Sequence, residues 1–365
     1  MVEQLTRKEV APGAAKRDRE AEFPEALIAK MGKLGLLGMM VPADYGGSDV
    51  GAVAYVLAVM EIARGCASTA VTMSVTNLTC EPFVYFGNEE QKKRLLTPLA
   101  SGGVLGAFAL TEPEAGSNLA EINCRARRKG SHYILNGTKI FITNGGYAGV
   151  LIVLARTGAG GGRGLSVFAV EKDSPGLSVG STIHKMGMRA SNTVEIIFED
   201  CEVPEENRIG KEGEGLRIIT QSLDSGRIGI AAQATGMIKA CLDEATEYAS
   251  QRRQFNKPLV GHQAIQWMIA DVASCLEASK LLTLSAATLK QQNEPFIKEA
   301  SIAKLFASEA LNRSAYKALQ IHGGYGYTEE FPIERLYRDA RVTTIYEGTS
   351  EIQRMVIARE ILKKR

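Results

Sequence analysis

The segment Arg341-Val-Thr-Thr-Ile-Tyr-Glu-Gly-Thr-Ser-Glu-Ile-Gln-Arg354 lies near the end of the 365-residue chain. Thr349 is a typical N-cap residue, so the segment predicts a final helix that starts near Ser350. Glu347 then lies just before that helix, between Tyr346 and a glycine that leaves the backbone open to close approach. A carboxylate in this position can act as a base in a partly dry pocket, where desolvation raises its pKa. The residues alone also allow a simpler interpretation, an ordinary helix-start glutamate hydrogen-bonded to backbone amides.

The composition indicates a globular protein without a strongly charged face. Hydrophobic residues make up 45% of the chain and the net charge is +2, with acidic and basic residues interspersed. This pattern argues against a nucleic-acid partner. The apolar runs are interrupted within about ten residues, and the N-terminus has no apolar h-region, so we expect neither a membrane span nor a secretory signal.

The cysteines do not form a recognisable framework. All six are widely scattered without a CxxC pair, and the four histidines do not cluster with them. We therefore expect reduced cysteines, no metal site, and a cytoplasmic protein. A mitochondrial matrix protein without its transit peptide would have the same composition.

Hydrophobic periodicity divides the chain into three parts. Residues 1–105 have helical spacing, and residues 106–211 contain short strands with turn signals about every eight to twelve residues, typical of a sandwich or barrel. Residues 212–365 are predicted to form long helices joined by short turns, typical of a bundle. Asn293-Glu-Pro295 predicts one of these turns, and Asp224-Ser-Gly-Arg227 is predicted to open a long helix. The sequence therefore predicts an α+β protein with three domains in the order helical, β and helical.

Glycines mark the predicted turns of the middle part. Lys129-Gly130 predicts a turn, and Asn136-Gly137 is a strong hairpin signal. Gly158-Ala-Gly-Gly-Gly-Arg-Gly164 lacks the following Lys-Ser/Thr and helix of a phosphate loop, so we interpret it as a hairpin loop. No G-x-G-x-x-G lies between a strand and a helix, so any dinucleotide is held by something other than a Rossmann fingerprint.

Four motifs together identify a family. Ile345–Arg354 resembles the C-terminal signature of acyl-CoA dehydrogenases, and Gln320-Ile-His-Gly-Gly-Tyr-Gly-Tyr327 resembles the motif upstream of it. Ala109–Ser117 and Lys139–Gly145 resemble the two flavin-side motifs of that family. The match runs from about Phe23 to the C-terminus in the family's order and spacing. The resemblance implies an N-terminal helical domain, a middle β-barrel or sandwich, and a C-terminal four-helix bundle.

The resemblance also implies site residues. Glu347 stands at the position of the catalytic base. One branch of the family carries its base at the position of Gly226, which excludes that branch here. The residues implied to bind FAD, several of them belonging to a neighbouring subunit's site, are Phe108, Ala109, Leu110, Thr111, Ser117, Phe141, Ile142, Thr143, Arg252, Gln263, Gln320, Ile321, His322, Gly323, Gly324, Thr349, Ser350 and Glu351. Those implied to bind the acyl-CoA are Ser117, Asp224, Ser225, Gly226, Arg227 and Gly348.

The implied reaction is α,β-dehydrogenation of an acyl-CoA to the trans-2-enoyl-CoA. Glu347 would take the α-proton while the β-hydride passes to flavin N5, and electrons would leave to an electron-transfer flavoprotein. Asp224–Ala231 and Phe296–Ala300 resemble the short-chain, butyryl-CoA type. Branched, cyclic or dicarboxylic substrates remain alternatives, as does an acyl-CoA oxidase. No basic residue between Thr72 and Phe83 would hold a distal carboxylate, and Glu81 in that region has no assigned role. Family members are usually homotetramers.

Overall fold

The computed structural model describes residues 1–363, and its N-terminal part is helical. The helices of this part are α1 (Val2–Leu5), α2 (Ala14–Glu20), α3 (Glu25–Lys33), α4 (Gly51–Gly65), α5 (Ala67–Phe86), α6 (Glu89–Gln91) and α7 (Thr97–Ala100). A π-helical turn, Thr6–Val10, continues α1, and another, Lys92–Leu96, joins α6 to α7.

Helix α5 forms the centre of the molecule although it is rich in threonine. Every residue from Ala67 to Phe83 is buried. The hydroxyls of Thr72, Thr76 and Thr79 donate to the carbonyl four residues earlier, at 3.2, 3.1 and 2.8 Å. Because these bonds satisfy the hydroxyls within the helix, a polar helix can be buried on all sides.

The middle part is one eight-stranded sheet. The strands are β1 (Leu105–Ala109), β2 (Arg125–Lys129), β3 (His132–Thr143), β4 (Ala148–Arg156), β5 (Leu165–Glu171), β6 (Leu177–Thr182), β7 (Thr193–Pro204) and β8 (Arg208–Ile209). Their order in the sheet is β6-β7-β3-β2-β4-β5-β8, with β1 beside β4. Strands β2 and β4 share only the pair Arg125–Arg156, so the sheet consists of two halves joined at one corner.

Two of the three turn predictions in this sheet are confirmed. The hairpin between β2 and β3 turns at Gly130, and Gly158–Gly164 is the loop of the β4–β5 hairpin. The hairpin prediction at Asn136-Gly137 is wrong, because β3 runs straight through it. Asn136 instead exchanges two hydrogen bonds with Asp200 on β7, and a Cβ on Gly137 would lie 2.8 Å from Cys124 Cα. The absence of a side chain at Gly137 therefore allows β3 to be irregular there and its backbone to approach Cys124 closely.

The C-terminal part is a bundle of long helices. The turn predicted at Asn293–Pro295 separates α9 from α10 and is confirmed. The prediction that Asp224 opens a helix is wrong, since α8 starts at Gly215 and Asp224 lies more than two turns inside it. The helices are α8 (Gly215–Gln251), α9 (Gln263–Gln291), α10 (Ile297–His322), α11 (Ile333–Ala340) and α12 (Ser350–Leu362); the short strands β9 (Arg253–Gln254) and β10 (Lys257–Pro258) connect α8 to α9. The domain boundaries after residues 105 and 211 stay a prediction.

Helix α9 is the single helix among residues 1–363 whose length and composition would suffice to cross a membrane. One such helix is weak support for a span, since core helices meet the same criterion. One face of α9 is buried, through Val272, Leu276, Thr283 and Ala286, and the opposite face leaves Trp267 61% and Leu281 65% exposed.

A buried salt bridge ties β1's loop to β3. Lys139, fully buried on β3, donates to Glu112 Oε1 at 2.8 Å and to the Leu110 carbonyl at 2.9 Å. Glu112 also accepts from the backbone N–H groups of Asn123 and Cys124 at 2.7 and 2.9 Å. Burial lowers the pKa of Lys139, and the charge of Glu112 opposes that shift. An ion pair therefore helps to hold together the two motifs that resemble flavin-binding segments.

We expect Lys139→Met to destabilise the protein by about 3–5 kcal/mol, because it leaves the Glu112 carboxylate buried without its cation. Lys129→Met is the matched control. Lys129 is exposed on the neighbouring strand, so its loss should change the unfolding free energy by less than about 0.5 kcal/mol. Urea denaturation followed by circular dichroism measures both variants. Equal midpoints for the two would show that the buried pair contributes nothing to stability.

Candidate active site

The Glu347-Gly348 turn is the geometric centre of the candidate site. Both residues have left-handed backbone conformations, with φ of 53° and 86°. This conformation is unusual for a glutamate and costs of order 1 kcal/mol or more. The turn places the Glu347 carboxylate over helix α8, where a Cβ on Gly226 would lie 2.6 Å from Glu347 Oε2. Any side chain at position 226 would therefore displace the carboxylate.

The Glu347 carboxylate is poorly solvated. Its Oε2 is buried and has no hydrogen-bond partner among the described residues. Burial raises the pKa of Glu347 to about 7, against the opposing charges of Arg227 and Lys304. The raised pKa expected from the sequence is confirmed, and its value is suited to a group that accepts a proton near neutral pH.

The segment Asp224–Arg227 surrounds the carboxylate from the α8 side. Arg227 forms a buried salt bridge with Asp224 and donates to Ser301 Oγ at 3.3 Å. Both side chains of the pair are buried. Burial raises the pKa of Asp224 to about 6, and Arg227 opposes that shift. Ser225 points to another side of α8 and donates to Glu81 Oε2 at 3.2 Å.

Glu81 now has a structural role. Its Oε1 accepts from Lys290 Nζ at 2.7 Å, and both side chains are buried. Lys290 also contacts Ser225 and lies over the rings of Tyr85 and Phe296. Sequence reasoning missed this pairing, because Lys290 lies more than two hundred residues downstream of Glu81.

Two further groups close the α8 face beyond Gly226. A Cβ on Gly229 would lie 2.7 Å from the hydroxyl of Tyr55, which is buried on α4. One turn later, Gln233 accepts from the Tyr346 hydroxyl and donates to the Ala67 carbonyl at 3.0 Å. Positions 226, 229 and 233 share one helix face, so these polar groups lie further along the face of α8 that the Glu347 carboxylate approaches.

The two flavin-side segments lie next to each other on β1 and β3. The Ile140 N–H donates to the Thr111 carbonyl at 2.9 Å, which joins their backbones. Phe141 has φ of 61° and is 60% exposed, so its ring stands clear of the core. Ala109, Leu110 and Ile142 are buried, so only their backbone groups can reach a ligand. Phe108, Thr111 and Thr143 are half-buried, and Ser117 is exposed on the following loop.

A second group of predicted residues meets at the other end of α8. Arg252 and residues 321–324 line a cavity of about 460 Å³, which we call the α8–α10 cavity. The Arg252 guanidinium lies 5.7 Å from the Tyr325 ring centre. Gln263 and Gln320 are exposed outside this lining. His322 is buried against Tyr248, its Nδ1 donates to the Ala318 carbonyl at 2.8 Å, and burial lowers its pKa.

The start of α12 follows the sequence prediction. Thr349 is the N-cap, and its hydroxyl accepts from the Ile352 N–H at 3.3 Å. Ser350 is buried with an unpartnered Oγ, and Glu351 is exposed in the first turn. The helix N-terminus thus presents backbone N–H groups, which are suited to binding polar or anionic ligand atoms.

Sequence reasoning missed two side chains that contact the Glu347-Gly348 turn. Lys304 Nζ donates to the Gly348 carbonyl at 2.7 Å, and Gln353 Nε2 donates to the carbonyls of Glu347 and Gly348 at 3.1 and 2.9 Å. A signal was present for Lys304, since it lies in the apolar stripe that Ala300, Ala303 and Ala307 form on α10. A lysine at such a position is almost never buried without a specific partner.

The residues present fit a large dinucleotide such as FAD. A Cβ on Gly323 or Gly324 would meet no atom within 4 Å, so the backbone of the α8–α10 cavity is open to close approach. The exposed ring of Phe141 offers a stacking surface, and Ser350 Oγ is a buried polar group without a partner. These are features of a site that a cofactor completes.

Comparisons with known proteins agree with this geometry. Residues 1–103, 107–201 and 213–362 match the N-terminal, middle and C-terminal domains of acyl-CoA dehydrogenase. The chain is 49% identical over 358 residues to the mitochondrial short-chain specific acyl-CoA dehydrogenase of Homo sapiens, which covers 98% of this chain and 87% of that protein.

Solved structures lead to the same family. Butyryl-CoA dehydrogenase from Megasphaera elsdenii superimposes with a TM-score of 0.97 at 42% identity, covering 99% of this chain and 96% of that one. A chain from the structural work on the electron transferring flavoprotein of Acidaminococcus fermentans has a TM-score of 0.98 at 43% identity, covering 99% and 96%. The predicted fold and family are confirmed. The chain therefore belongs to the acyl-CoA dehydrogenase family of FAD-dependent oxidoreductases, which dehydrogenate acyl-CoA thioesters.

Proposed function

We propose that this enzyme converts a short-chain acyl-CoA to the trans-2-enoyl-CoA, with Glu347 as the catalytic base. The observation that supports this assignment most is the buried, unpartnered Glu347 Oε2 above Gly226. A carboxylate whose pKa is near 7 can accept an α-proton and is half ionised at neutral pH. Gly226 leaves no second carboxylate at the family's alternative position.

The residues around Glu347 can also acidify the α-proton. The Glu347 N–H donates to no acceptor within residues 1–363, so it is available to a thioester carbonyl. A hydrogen bond there would stabilise the negative charge that develops on the carbonyl oxygen as the proton leaves. FAD, when bound, supplies the acceptor for the β-hydride. We propose that the two flavin-side segments, the α8–α10 cavity and the start of α12 hold it, and that Ser117, Gly348 and the Asp224–Arg227 segment hold the acyl-CoA.

The space beside Glu347 supports a short acyl chain. The Tyr55 hydroxyl occupies the volume next to Gly229, and the Gln233–Tyr346 pair closes the following turn. A long chain would have to displace hydrogen-bonded polar groups, which costs their desolvation. The dicarboxylic alternative finds less support, since Arg227 and Lys290 are each paired with a carboxylate and Lys304 donates to the Gly348 carbonyl. Branched and cyclic short acyl groups remain alternatives.

We further propose a homotetramer, the assembly typical of the family. The exposed apolar side chains of Trp267 and Leu281 on α9 would be covered by a second copy of the chain. Arg252 and Gly323-Gly324 would then reach the FAD of a neighbouring subunit, as the resemblance implies, together with Gln263 and Gln320.

The electron acceptor that we propose is an electron-transferring flavoprotein, in a cytoplasmic or mitochondrial matrix compartment. Its support is the similarity to the Acidaminococcus fermentans structure. An acyl-CoA oxidase would use the same base and cofactor and pass its electrons to oxygen. Rapid oxygen uptake during turnover of butyryl-CoA would favour that alternative.

The purified protein should carry one non-covalent FAD per subunit and elute as a tetramer. Acid precipitation should release the flavin, and light scattering gives the assembly. Because Arg252 lines the proposed site of a neighbour's cofactor, conditions that dissociate the tetramer should also release FAD. FMN in place of FAD, or a fully loaded active monomer, would contradict this arrangement.

Glu347→Gln should abolish proton abstraction while keeping the size of the side chain. Flavin reduction by butyryl-CoA should fall at least about a thousandfold, with FAD content and acyl-CoA binding retained. Anaerobic stopped-flow bleaching of the flavin band measures the rate. Glu89→Gln, at the start of helix α6, is the control for an ordinary helix-start glutamate and should leave the rate unchanged.

Stability gives the same variant a second test. The pKa of Glu347 is raised by folding, from 4.5 to about 7, so its contribution to stability is full below pH 4.5 and is lost as pH rises through 7. Glutamine mimics the protonated form. Glu347→Gln should therefore raise the melting temperature relative to the wild type at about pH 8, and have little effect at about pH 4. Near-normal bleaching, or a lower melting temperature at the higher pH, would mean that Glu347 is not the buried base.

Chain-length preference should depend on Tyr55. The wild type should prefer butyryl-CoA to octanoyl-CoA, and Tyr55→Ala should raise the octanoyl-to-butyryl ratio of kcat/KM by at least about tenfold, because it opens the space beside Gly229. Tyr45→Ala removes a half-buried tyrosine that donates to Glu89 and should leave the ratio unchanged. A substrate panel with an artificial electron acceptor measures both. An unaltered ratio in Tyr55→Ala would place the end of the acyl site elsewhere.

A further inference from the structure

Two helices each contribute one buried side chain to the turn that carries Glu347. Lys304 extends from α10 to the Gly348 carbonyl, and Gln353 extends from α12 to the carbonyls of Glu347 and Gly348. Both side chains are completely inaccessible to solvent. The turn is therefore held by three hydrogen bonds that come from outside its own segment.

The turn needs such donors because of its backbone conformation. Glu347 and Gly348 both have left-handed backbone conformations, and their carbonyls accept hydrogen bonds from side chains of α10 and α12. A buried carbonyl without a donor is costly, because it loses its hydrogen bond to water and gains none from the protein. The amide of Gln353 already donates to both carbonyls, so satisfying the backbone does not by itself require a second donor.

The choice of a lysine for that second donor calls for another reason. Burying an ammonium costs far more than burying a neutral donor unless an opposite charge compensates it. The ammonium of Lys304 forms no salt bridge with a carboxylate of residues 1–363 that lies within 4.0 Å. The compensating charge therefore acts on the ammonium without direct contact. The strongest attractive charge on Lys304 is the carboxylate of Glu347, the residue before Gly348.

The other charged groups near Glu347 are already committed. On α8, Arg227 is paired with Asp224. On α10, Glu309 is paired with Arg354 of α12, and Glu351 of α12 is exposed. The remaining titratable neighbours are the buried phenols Tyr55 on α4 and Tyr346, in both of which burial raises the pKa and keeps the phenol neutral. Lys304 is thus the cation near Glu347 whose charge no carboxylate contacts directly.

We propose that Lys304 is a positioning residue for proton abstraction: its hydrogen bond to Gly348 fixes the base-bearing turn, and its charge keeps Glu347 ionised above Gly226. Gln353 shares the first role and lacks the second. The inference rests on the proposed function, in which Glu347 is the base.

The ionisation of the two groups fits this assignment. Burial lowers the pKa of Lys304 to about 8, and the charge of Glu347 opposes that shift. Burial raises the pKa of Glu347 to about 7, and Arg227 and then Lys304 oppose that shift. Each group therefore favours the charged form of the other.

The test compares the pH dependence of flavin reduction in four holoenzymes. Single-turnover reduction by saturating butyryl-CoA is followed from about pH 5.5 to 9.5 in the wild type, Lys304→Met, Gln353→Met and Lys298→Met. The last removes a partly exposed lysine from the same helix, α10, and is the control for loss of a positive charge.

The two buried substitutions should have different effects. Lys304→Met should move the midpoint of the rate profile upward by about one pH unit, because the ionised base loses a nearby cation. The rate at pH 7 should then fall about fivefold more than the rate on the alkaline plateau. Gln353→Met should lower the plateau without moving the midpoint, because it loosens the turn and removes no charge. Lys298→Met should change neither quantity.

A second measurement does not depend on turnover. Glu347→Gln is introduced into the wild type and into Lys304→Met, and the resulting change in melting temperature is measured in each as a function of pH. This change reports the ionisation of Glu347. This difference should appear at higher pH in Lys304→Met than in the wild type, by the same shift of about one unit. A purely structural lysine would change the melting temperature at every pH and leave the midpoint of the difference in place.

An unshifted or acid-shifted midpoint in Lys304→Met would overturn the proposal. If that variant does not fold, Lys304→Gln removes the charge and keeps a donor, and the same shift is required of it. The outcomes also separate this inference from the proposed function. A bleaching rate that survives Glu347→Gln refutes the base itself, whereas loss of bleaching in Glu347→Gln with an unmoved midpoint in Lys304→Met refutes only the role of the lysine.

Discussion

The close approach of the Glu347 carboxylate to Gly226 is the contact on which the site depends. It requires a glycine on α8, because a Cβ there would lie 2.6 Å from Oε2. It also requires a left-handed glutamate on the connecting segment, a conformation that the rest of the protein must stabilise. Helices α10 and α12 donate hydrogen bonds to that turn and α8 supplies the glycine, so the bundle as a whole positions the proposed base.

Burial decides the chemistry of this carboxylate. Two nearby cations, Arg227 and Lys304, act to lower its pKa, yet burial is the larger effect and the pKa rises to about 7. A fully solvated glutamate would be ionised at neutral pH and would be too weak a base for a carbon acid. A buried glutamate without cations would stay protonated. A buried carboxylate near two cations has a pKa between these limits.

A second constraint operates on the β-domain side. The buried Lys139–Glu112 pair joins the loop after β1 to strand β3, and Asn144 bonds the Thr72 and Gly106 carbonyls at 3.2 Å each. These contacts connect the strands that carry the proposed flavin contacts to helix α5, whose other face packs on α8. The distance between the flavin-side segments and Glu347 is therefore set by rigid elements rather than by loops, as precise alignment of reacting groups requires.

The sequence by itself determined the family, the α–β–α order and the helix that starts at Ser350, and it predicted Glu347 as the base. These features depend on residue types at short spacing, such as the N-cap Thr349 and the glycine after Glu347, which constrain the local backbone directly.

Local signals failed where a residue distant in the sequence determines the local structure. Asn136-Gly137 continues a strand because Asp200 and Cys124 pack against it, and α8 extends upstream of Asp224 because its first turns pack on the β-domain. Only the tertiary structure brought Lys290 to Glu81, and Lys304 and Gln353 to the Glu347-Gly348 turn. The reason is physical: a buried charge or carbonyl is satisfied by whichever group the fold brings within hydrogen-bond distance, and separation along the chain carries no information about that distance.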